Sequence, residues 1–533
     1  MARRHAGPMV LAGWLMLTCA AGAALAHDEH DDGGKGSLDS PGASPQGGPP
    51  GGFSTFKVDQ LGHLPLAMIG GSTPVVGSGG VRGNDIWGWT DPQTGGEYAL
   101  MGRSDGTAFI DISDPVNPLY LGILPSASGN SAWRDIKTYQ DHAFIVSDGN
   151  GAHGMQVFDL TNLRNVTGPP VTFTATAHYS GFTKSHNLAI NEDTGVAYSV
   201  GTNTHSGGLH FVDISSPATP TALGGYSGDG YTHDVQVVTY QGPDATHQGR
   251  EIAFAFNEDT LTIVDVQSKT TPVQLSRTGY PNTGYTHQGW LTEDHRYVLQ
   301  NDELDERNIG SISLTRTHVW NVEDLDAPVY VGYYEAAVGS IDHNLYIRDN
   351  YAYLANYTTG LRVLNLDSLD SATPDANGKL NNIDEIAWID THPATDSLTA
   401  FDGAWSSYIH FDSGAIVIGD RDEGLIIVQL NVLPGDANSD RHVNALDLSA
   451  LATHWLDGVD AGYMEGDFNG DNLTNALDLS LLASNWMTAP ATGGANFGQP
   501  PSTLDLAGIP EPTTALLLAA GAVMLLGRQR ARL

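Results

Sequence analysis

One strand-like segment recurs along the middle of the chain and limits the possible folds more than any other feature. Each copy is an apolar run rich in Val, Ile and Phe that ends in a polar residue, and a turn with Pro often follows. The copy at residues 107–118, TAFIDISDPVNP, shows the whole pattern. The polar residues that end the seven copies lie 44 to 64 residues apart and are Asp111, Asp159, Asp213, Asp265, Asn321, Asn365 and Gln429.

The length of the repeat predicts the architecture. Each unit has room for about four short strands, and alternating Val, Ile, Phe and Tyr residues fill them. A small sheet cannot bury both of its faces alone, whereas sheets stacked radially cover each other and protect most edges. We therefore predict a mainly β fold in which residues 53–431 form a seven-bladed β-propeller. Residues 58–70 are predicted to supply the outer strand of the seventh blade and so close the ring.

Four of the strands that are predicted to lie innermost begin with a histidine: His186, His233, His287 and His343. If these strand starts meet at one mouth of the central channel, the imidazoles and a neighbouring carboxylate can bind a transition metal. The propeller would then suit a metal-dependent oxidoreductase or hydrolase. In the alternative, repeated geometry alone explains the histidines, because an imidazole can hydrogen-bond a backbone carbonyl of the next blade. The sequence has no Gly-x-Ser-x-Gly motif, and its only cysteine, Cys19, lies in the N-terminal apolar run, so no catalytic residue is predicted.

The middle of the chain resembles the LVIVD-repeat proteins and, more closely, the choice-of-anchor B family. The resemblance covers about residues 53–431 and is carried by the strands FIDIS, HFVDIS and TIVDV and by the strand starts SHN, THD and DHN. It implies the propeller fold and brings no assigned chemistry with it. Members of that family share this region and end in different surface anchors.

A second repeat follows the propeller region and carries a metal-ligand pattern. Residues 435–449 read GDANSDRHVNALDLS, and residues 466–480 read GDFNGDNLTNALDLS. Calcium takes six to eight hard oxygen ligands, which an EF-hand loop supplies from positions 1, 3, 5, 7, 9 and 12. Two copies in the same register predict two calcium sites, whereas the alternative is a pair of polar turns. The predicted ligands are Asp436, Asn438, Asp440, His442, Asn444 and Asp447 in the first loop and Asp467, Asn469, Asp471, Leu473, Asn475 and Asp478 in the second, with His442 and Leu473 acting through their backbone carbonyls.

Two positions depart from the general EF-hand loop. Position 12 is Asp rather than Glu in both copies, and position 6, where Gly permits a positive φ, is Arg441 in one loop and Asn472 in the other. Asn tolerates that conformation better than Arg, so the first loop is expected to bind calcium more weakly. Apolar residues at helical spacing predict a helix after each loop, through Leu448, Leu451, Ala452 and Trp455 and through Leu479, Leu482, Ala483 and Trp486.

Residues 435–488 resemble a type I dockerin module, in which Asp also stands at position 12. The resemblance implies a small α-helical module of paired EF-hands that docks onto a cohesin. In that family positions 10 and 11 help to select the partner, and here they are Ala445 with Leu446 and Ala476 with Leu477. Family members often carry hydroxyl residues there, so the departure argues against ordinary cellulosomal cohesins. Because both copies carry the same residues, either face is expected to dock.

The start of the chain reads as an export signal and a linker. Two arginines precede an apolar run and a small-residue cleavage site, so residues 1–26 are predicted to be a signal peptide. The only cysteine, Cys19, lies inside this signal, so disulfides are not expected in the mature chain. Residues 27–52 are acidic and rich in Gly and Pro, and they are predicted to form a disordered linker.

The end of the chain resembles a PEP-CTERM sorting signal at residues 509–533, after a second linker at 489–508. The resemblance is carried by Pro510, Glu511 and Pro512, by the apolar segment 514–527 and by a final cluster of arginines. This predicted C-terminal hydrophobic helix is short for a bilayer span of about 20 residues, so it implies a transient transmembrane anchor. In that family an exosortase recognises the signal and removes the tail. The alternative is an uncleaved tail anchor.

The charge balance excludes one class of partner. The chain has 61 acidic and 24 basic residues and a formal charge of -37, which argues against nucleic-acid binding. We predict an exported cell-surface or extracellular protein for binding or adhesion, whose propeller displays a face for a glycan or protein ligand. Its calcium-loaded module would dock a cohesin-like partner. The alternative is a metal-dependent propeller enzyme with the histidines at the channel mouth, acting in polysaccharide degradation.

Overall fold

The computed structural model describes residues 53–72, 80–393, 399–433, 435–437, 442–456, 466–468 and 473–487. The predicted signal peptide, both linkers and the sorting signal with Pro510, Glu511 and Pro512 lie outside these residues. The same is true of eight positions in the calcium loops, residues 438–441 and 469–472, which include the predicted ligands Asn438, Asp440, Asn469 and Asp471. Within the described ranges, no helix combines the length and the apolar character needed to cross a bilayer.

Seven sheets, numbered here as blades 1 to 7, make up residues 54–430. From the innermost strand outward, blade 1 contains Gly83–Thr90, Glu97–Arg103, Gly106–Asp111, Leu119–Pro125 and Val171–Thr172. Blade 2 contains Arg134–Tyr139, His142–Ser147, Met155–Asp159 and Ala177–Tyr179. Blade 3 contains Asn187–Asn191, Val196–Val200, Leu209–Asp213 and Thr221–Tyr226.

The remaining four blades follow the same order in the chain. Blade 4 contains Asp234–Thr239, Glu251–Phe256, Leu261–Asp265 and Val273–Thr278. Blade 5 contains Thr286–Leu291, Tyr297–Asp302, Arg316–Asn321 and Val329–Glu335. Blade 6 contains Asn344–Arg348, Tyr351–Ala355, Leu361–Asn365, Asp384–Asp390 and Ser54–Phe56. Blade 7 contains Ala404–Tyr408, Ala415–Asp420, Gly424–Leu430 and Val58–Pro65.

The third strand of every blade is one of the seven repeated segments, which confirms the seven-bladed propeller. Helices are few and short in the described residues. The 3-10 turns are Leu66–Ile69, Leu160–Leu163, His205–Gly207 and Leu369–Ser371, and the α-helices are Asp305–Asn308, Ala445–Thr453 and Ala476–Ser484.

The strand Val58–Pro65 closes the ring. It pairs antiparallel with Gly424–Leu430, with Val58 opposite Leu430 and Pro65 opposite Gly424. The outer strand of blade 7 therefore comes from the start of the propeller region, as the sequence predicts. The innermost strands contact their neighbours all the way round, including the last with the first.

Blades 1 and 6 differ from the four-stranded expectation, because each has a fifth strand on its outer edge. Val171–Thr172 adds parallel to Leu119–Pro125, and Ser54–Phe56 adds antiparallel to Asp384–Asp390. An outer edge carries unpaired backbone groups, so a short neighbouring segment can pair there. Strands this short have no sequence periodicity, which is why the repeat did not reveal them.

Seven apolar cores hold the ring together, one between each pair of neighbouring blades. Between blades 7 and 1, Val417 and Ile427 share a core with Ile86 and Met101, and all four are fully buried. Because each sheet is covered on both faces, a third strand such as Gly106–Asp111 is buried on both sides instead of alternating between apolar and polar residues.

The polar residue that ends each repeated strand closes the turn into the next strand. The side-chain oxygens of Asp111 and Asp213 each accept a hydrogen bond, at 2.9 Å, from the backbone N–H two residues later. Asn321 does the same at 3.0 Å, so Asn can replace Asp. Gln429 ends the one repeat whose fourth strand comes from elsewhere in the chain, so no such turn follows it. The repeated carboxylates are therefore turn residues.

Candidate functional site

The four predicted histidines lie side by side at one mouth of the channel. Ring centroids are 4.3 Å apart for His186 and His233, 4.2 Å for His233 and His287, and 4.3 Å for His287 and His343. Neighbouring rings are inclined by 43° to 50°. We call these four residues the histidine arc. Each stands within one residue of the start of the innermost strand of blades 3 to 6, and the ring of blades brings them together.

Two members of the histidine arc make the backbone contact expected of structural residues. His287 Nδ1 donates to the carbonyl oxygen of His343 at 3.1 Å, and His343 Nδ1 donates to that of Trp405 at 2.6 Å. Each bond links one blade to the next. His233 Nδ1 instead lies 2.9 Å from the hydroxyl of Tyr285. These bonds fix the orientation of the rings.

His186, at one end of the arc, faces a carboxylate. Its Nδ1 lies 3.4 Å from Asp148 Oδ2, and the ammonium of Lys184 lies 3.1 Å from the same carboxylate. Burial disfavours the charged form of Asp148, but these two neighbours outweigh it and lower the pKa of Asp148 to about 2. Asp148 is therefore ionised and holds this end of the arc.

Glu303 is a mouth residue that sequence reasoning missed. Its carboxylate oxygens lie 3.7 Å from Nε2 of His287 and 3.7 Å from Nε2 of His343, and the hydroxyl of Tyr357 donates to it at 3.0 Å. Glu303 is 1% exposed, and the two histidines are 3% exposed. Two imidazoles and a carboxylate can hold a transition metal. Only this half of the arc has that geometry among the described residues, and metal binding stays a prediction.

Aromatic side chains continue the arc on both sides. The Trp405 ring centroid lies 4.6 Å from that of His343, and the Trp133 centroid lies 6.3 Å from that of His186. Trp133 is partly exposed, whereas Trp405 is buried. The row of rings is therefore mostly buried, and Trp133 is the more accessible of its two flanking aromatic rings.

Charged groups line the channel next to the arc. Lys137 forms an ion pair with Asp135 and lies 4.4 Å from the centre of the Trp87 ring. Burial raises the pKa of Asp85 well above its ordinary value, and burial followed by the charge of Asp135 raises the pKa of Asp234 to about 7. The channel lining therefore places three carboxyl groups, those of Asp85, Asp135 and Asp234, beside the two cations Arg134 and Lys137.

The second repeat forms two helices with the same start. The side-chain oxygens of Asn444 and Asn475 accept from the N–H groups of Leu446 and Leu477, and each Asn backbone N–H donates to the Asp three residues later. Both helix starts are therefore capping boxes. Asp447 and Asp478, the predicted last calcium ligands, each supply one oxygen to a cap.

Each copy is tied to the other by matched contacts. The N–H of Leu456 donates to the carbonyl of Thr474, and the N–H of Met487 donates to the carbonyl of Val443, both at 2.8 Å. Gly435 has φ of +100°, and a Cβ there would stand 2.7 Å from Cα of Leu482, so glycine lets the loop approach the opposite helix. The shared core consists of Ala437, Val443, Leu451, Phe468 and Leu482.

The described ligand positions fit calcium chemically. Asp436, Asp447, Asp467 and Asp478 are at most 4% exposed, and all four supply hard oxygens. The backbone carbonyl of His442 accepts a hydrogen bond from the side-chain amide of Asn444 at 3.0 Å, and that of Leu473 accepts one from the side-chain amide of Asn475 at 2.7 Å. These bonds hold the two carbonyls that are the predicted position-7 ligands in place. Because four ligand positions lie outside the described residues, the complete paired EF-hand fold and its two sites stay predictions.

The predicted partner-binding positions are on the surface. Leu446 is 62% exposed and Leu477 is 60% exposed, and Ala445 and Ala476 are not buried either. We call Leu446 and Leu477 the exposed leucine pair. Large apolar side chains that stand in equivalent, exposed positions of both copies suit a docking surface.

Two family models match parts of the chain. Residues 434–489 match the dockerin type I domain, and residues 204–227, within blade 3, match the LVIVD repeat. The chain therefore combines an LVIVD-repeat propeller with a dockerin type I domain, and this class of domain binds calcium. The resemblances to the choice-of-anchor B family and to the PEP-CTERM signal stay predictions.

Comparison with whole proteins adds little. No curated protein matches the chain. Among solved structures, a protein from Lactobacillus plantarum is 14% identical over 63% of this chain and 88% of its own, with a TM-score of 0.38. A functionally unknown protein from Desulfotomaculum acetoxidans is 12% identical over 58% of this chain and 89% of its own, also with a TM-score of 0.38. We draw no inference from likenesses this distant.

Proposed function

We propose that this protein is exported, docks onto a cohesin-like partner through its dockerin domain, and presents a ligand-binding mouth on its propeller. The exposed leucine pair carries the docking part of the proposal. Leu446 and Leu477 stand at the partner-selecting positions of the two copies, and each is at least 60% exposed. A cohesin-like surface with an apolar patch would bury one of them.

Calcium would make docking conditional. When bound, the ion supplies ligand bonds that order each loop. Asp447 and Asp478 would then hold calcium in addition to capping a helix. Since the exposed leucine pair lies in the first turn of these helices, loss of calcium is expected to disorder the docking surface.

The docking test uses the full chain and a panel of cohesin modules in calcium and in chelator. Leu446→Asp and Leu477→Asp should each change affinity by less than about threefold, because the other face still docks. The double variant should lose binding by more than about 100-fold, the loss of roughly 3 kcal/mol expected for a central apolar contact. Leu119→Asp, at an exposed leucine of the propeller, is the matched control. A single variant that abolishes binding would contradict docking through either face.

For the mouth, we propose recognition of an extracellular glycan or protein by stacking on its aromatic rings. Trp133 is the accessible ring next to the histidine arc, and aromatic faces stack well on apolar faces of such ligands. An array of glycans and proteins, probed with the full chain, identifies the ligand. Trp133→Ala should then weaken binding at least tenfold, whereas Trp388→Ala, on the outer part of blade 6, should not. An equal loss of affinity in both variants would argue against ligand binding at the channel mouth.

One observation keeps the metal-enzyme hypothesis open, namely the meeting of His287, Glu303 and His343. Zinc, copper and iron are measured in the purified full chain and in His343→Ala, with His142→Ala as the control. A stoichiometric metal lost only in His343→Ala would support a metal centre. If the purified chain contains none of these metals, the metal-centre hypothesis is contradicted, and the histidines serve to link neighbouring blades.

Export and tail removal are tested together by mass spectrometry of the mature protein. Cleavage after Ala26 and a missing C-terminus are expected. An intact Leu533 would contradict removal of the tail.

A further inference from the structure

Three buried carboxylates lie within three residues of Glu303 or His343 in the sequence. Asp305 and Glu306 are in the one-turn helix of blade 5, and Asp342 precedes the innermost strand of blade 6. They are 0%, 6% and 0% exposed. One oxygen from each lies within 4.8 Å of the others. We call these three residues the carboxylate cluster.

The carboxylate cluster lacks well-placed hydrogen-bond donors. Neither oxygen of Asp305 or Asp342 accepts a hydrogen bond of good geometry from any described residue, and the same holds for Oε2 of Glu306. Glu306 Oε1 accepts the backbone N–H of Arg316, at 3.0 Å. A buried carboxylate with so few donors is destabilised in its charged form, so the charge of these groups needs compensation.

The nearby carboxylate of Asp302, in contrast, has a full set of hydrogen-bond donors. It accepts from the hydroxyl of Tyr280 at 2.6 Å and from the backbone N–H groups of Gly284 and Tyr285 at 2.7 and 2.5 Å. Asp302 thus has a structural role that explains its burial. The carboxylate cluster, three to four residues away or in the next blade, has no equivalent set of donors among the described residues.

No basic side chain of the described residues forms an ion pair with Glu306 or Asp342. The closest candidate, Arg316, pairs with Glu335 at 3.1 Å and lies 4.1 Å from the centre of the Tyr333 ring. The three carboxyl groups are nonetheless buried, with one oxygen of each within 4.8 Å of the others. The cluster must therefore bind either protons or a cation.

A buried imidazole gives an independent indication of a ligand. His318 is 2% exposed, and its Nε2 lies 3.9 Å from Asp305 Oδ2 with no hydrogen-bond partner among the described residues. Its Nδ1 lies 2.9 Å from the hydroxyl of Tyr330, which orients the ring towards Asp305. A polar atom that is buried, oriented and unpartnered beside Asp305, one member of the carboxylate cluster, is typical of the surroundings of a metal ion.

We propose that the carboxylate cluster binds one calcium ion between blades 5 and 6. Asp305, Glu306 and Asp342 would supply up to six oxygens, which suits calcium, and His318 would position Asp305. The dication would offset most of the charge of three ionised carboxylates. Because Glu303 and His343 adjoin these ligands in the chain, the ion would also hold half of the histidine arc in place. This site is separate from the two predicted in the dockerin domain.

The test uses the full chain with both dockerin loops disabled by Asp436→Ala and Asp467→Ala, so that calcium at the propeller is counted alone. After desalting from calcium buffer, this chain should retain about one calcium per molecule by elemental analysis. Adding Asp342→Asn, which keeps shape and removes charge, should lower the content at least tenfold. Glu306→Gln is a second variant with the same expected loss, and Asp349→Asn, at an exposed carboxylate of blade 6, is the matched control.

The melting temperature of the propeller supplies a second readout. Calcium should raise it in the loop-disabled chain and in the Asp349→Asn control, but not after Asp342→Asn or Glu306→Gln. A loop-disabled chain that holds no calcium and melts at the same temperature with calcium and with chelator would overturn the proposal, since the cluster would then hold protons. Retention of magnesium or manganese in place of calcium would overturn the assignment of the ion.

Discussion

The propeller and the dockerin domain are both built from repeats, but their repeated polar residues do different things. In the propeller, Asp111 and its equivalents close turns, and stability comes from seven apolar cores between blades. In the dockerin domain, Asp447 and Asp478 cap helices beside a single small core. A repeated carboxylate therefore indicates a metal ligand only where other oxygens repeat with it at ligand spacing.

The difference predicts that metal loss affects the two regions unequally. Asp436→Ala with Asp467→Ala should unfold the dockerin domain, because its core is small and bound calcium contributes about 4 kcal/mol at 1,000 times its Kd. The seven propeller cores do not include these residues. Calorimetry of the full chain in calcium should show the domain's transition lost and the propeller's transition unchanged. One joint transition that shifts as a whole would show that the regions unfold together.

Truncation of side chains in the cores between blades should strongly lower the free energy of unfolding. Ile427→Ala removes a fully buried side chain between blades 7 and 1 and should lower the free energy of unfolding by about 3 kcal/mol. Chemical denaturation measures the change. Val273→Ala, at a residue 55% exposed on the outer strand of blade 4, is the control and should change it by less than about 0.5 kcal/mol. Similar losses in both variants would contradict the assignment of the core.

Asp234 should make propeller stability depend on pH. Its folded pKa of about 7 lies above the value of about 3.9 for an unfolded Asp, so the stability from its protonated form is complete below pH 4 and lost as pH rises through 7. Asp234→Asn should therefore be as stable as the wild type at pH 4 and more stable at pH 8 by about 1 kcal/mol, a value reduced for solvent screening because Asp234 is only partly buried. Denaturation across this range is the measurement. A difference independent of pH would contradict the raised pKa.

An effect of similar size is expected at the turn residues. Asp213→Ala removes the acceptor for the backbone N–H of Ser215 and should lower the free energy of unfolding by about 1 kcal/mol. Asp213→Asn keeps the acceptor, as Asn321 does in blade 5, and should be nearly neutral. If the Asn variant lost as much stability as the Ala variant, the negative charge of Asp213 would contribute more to stability than its hydrogen bond to the turn.

Most of the propeller could be predicted from the sequence, because its strands repeat. The number of blades, their third strands and the closing strand Val58–Pro65 all follow from local patterns. The fifth strands of blades 1 and 6 could not be predicted from the sequence. They form because the folded chain brings these short segments next to the unpaired outer edge of a sheet. Glu303 was also missed. It lies in an irregular turn, and its distance from His287 and His343 depends on how two blades meet.

By itself, the sequence determined the repeat count, the strand starts that carry the histidines, and the ligand spacing of the two loops, because these are properties of neighbouring residues. Only the tertiary structure decided that Glu303 meets two histidines and that Asp305 and Glu306 lie against Asp342. Residues that are distant in the chain meet through the closed ring of blades, and burial there removes the water that would otherwise solvate their charges. That physical environment exists only after folding.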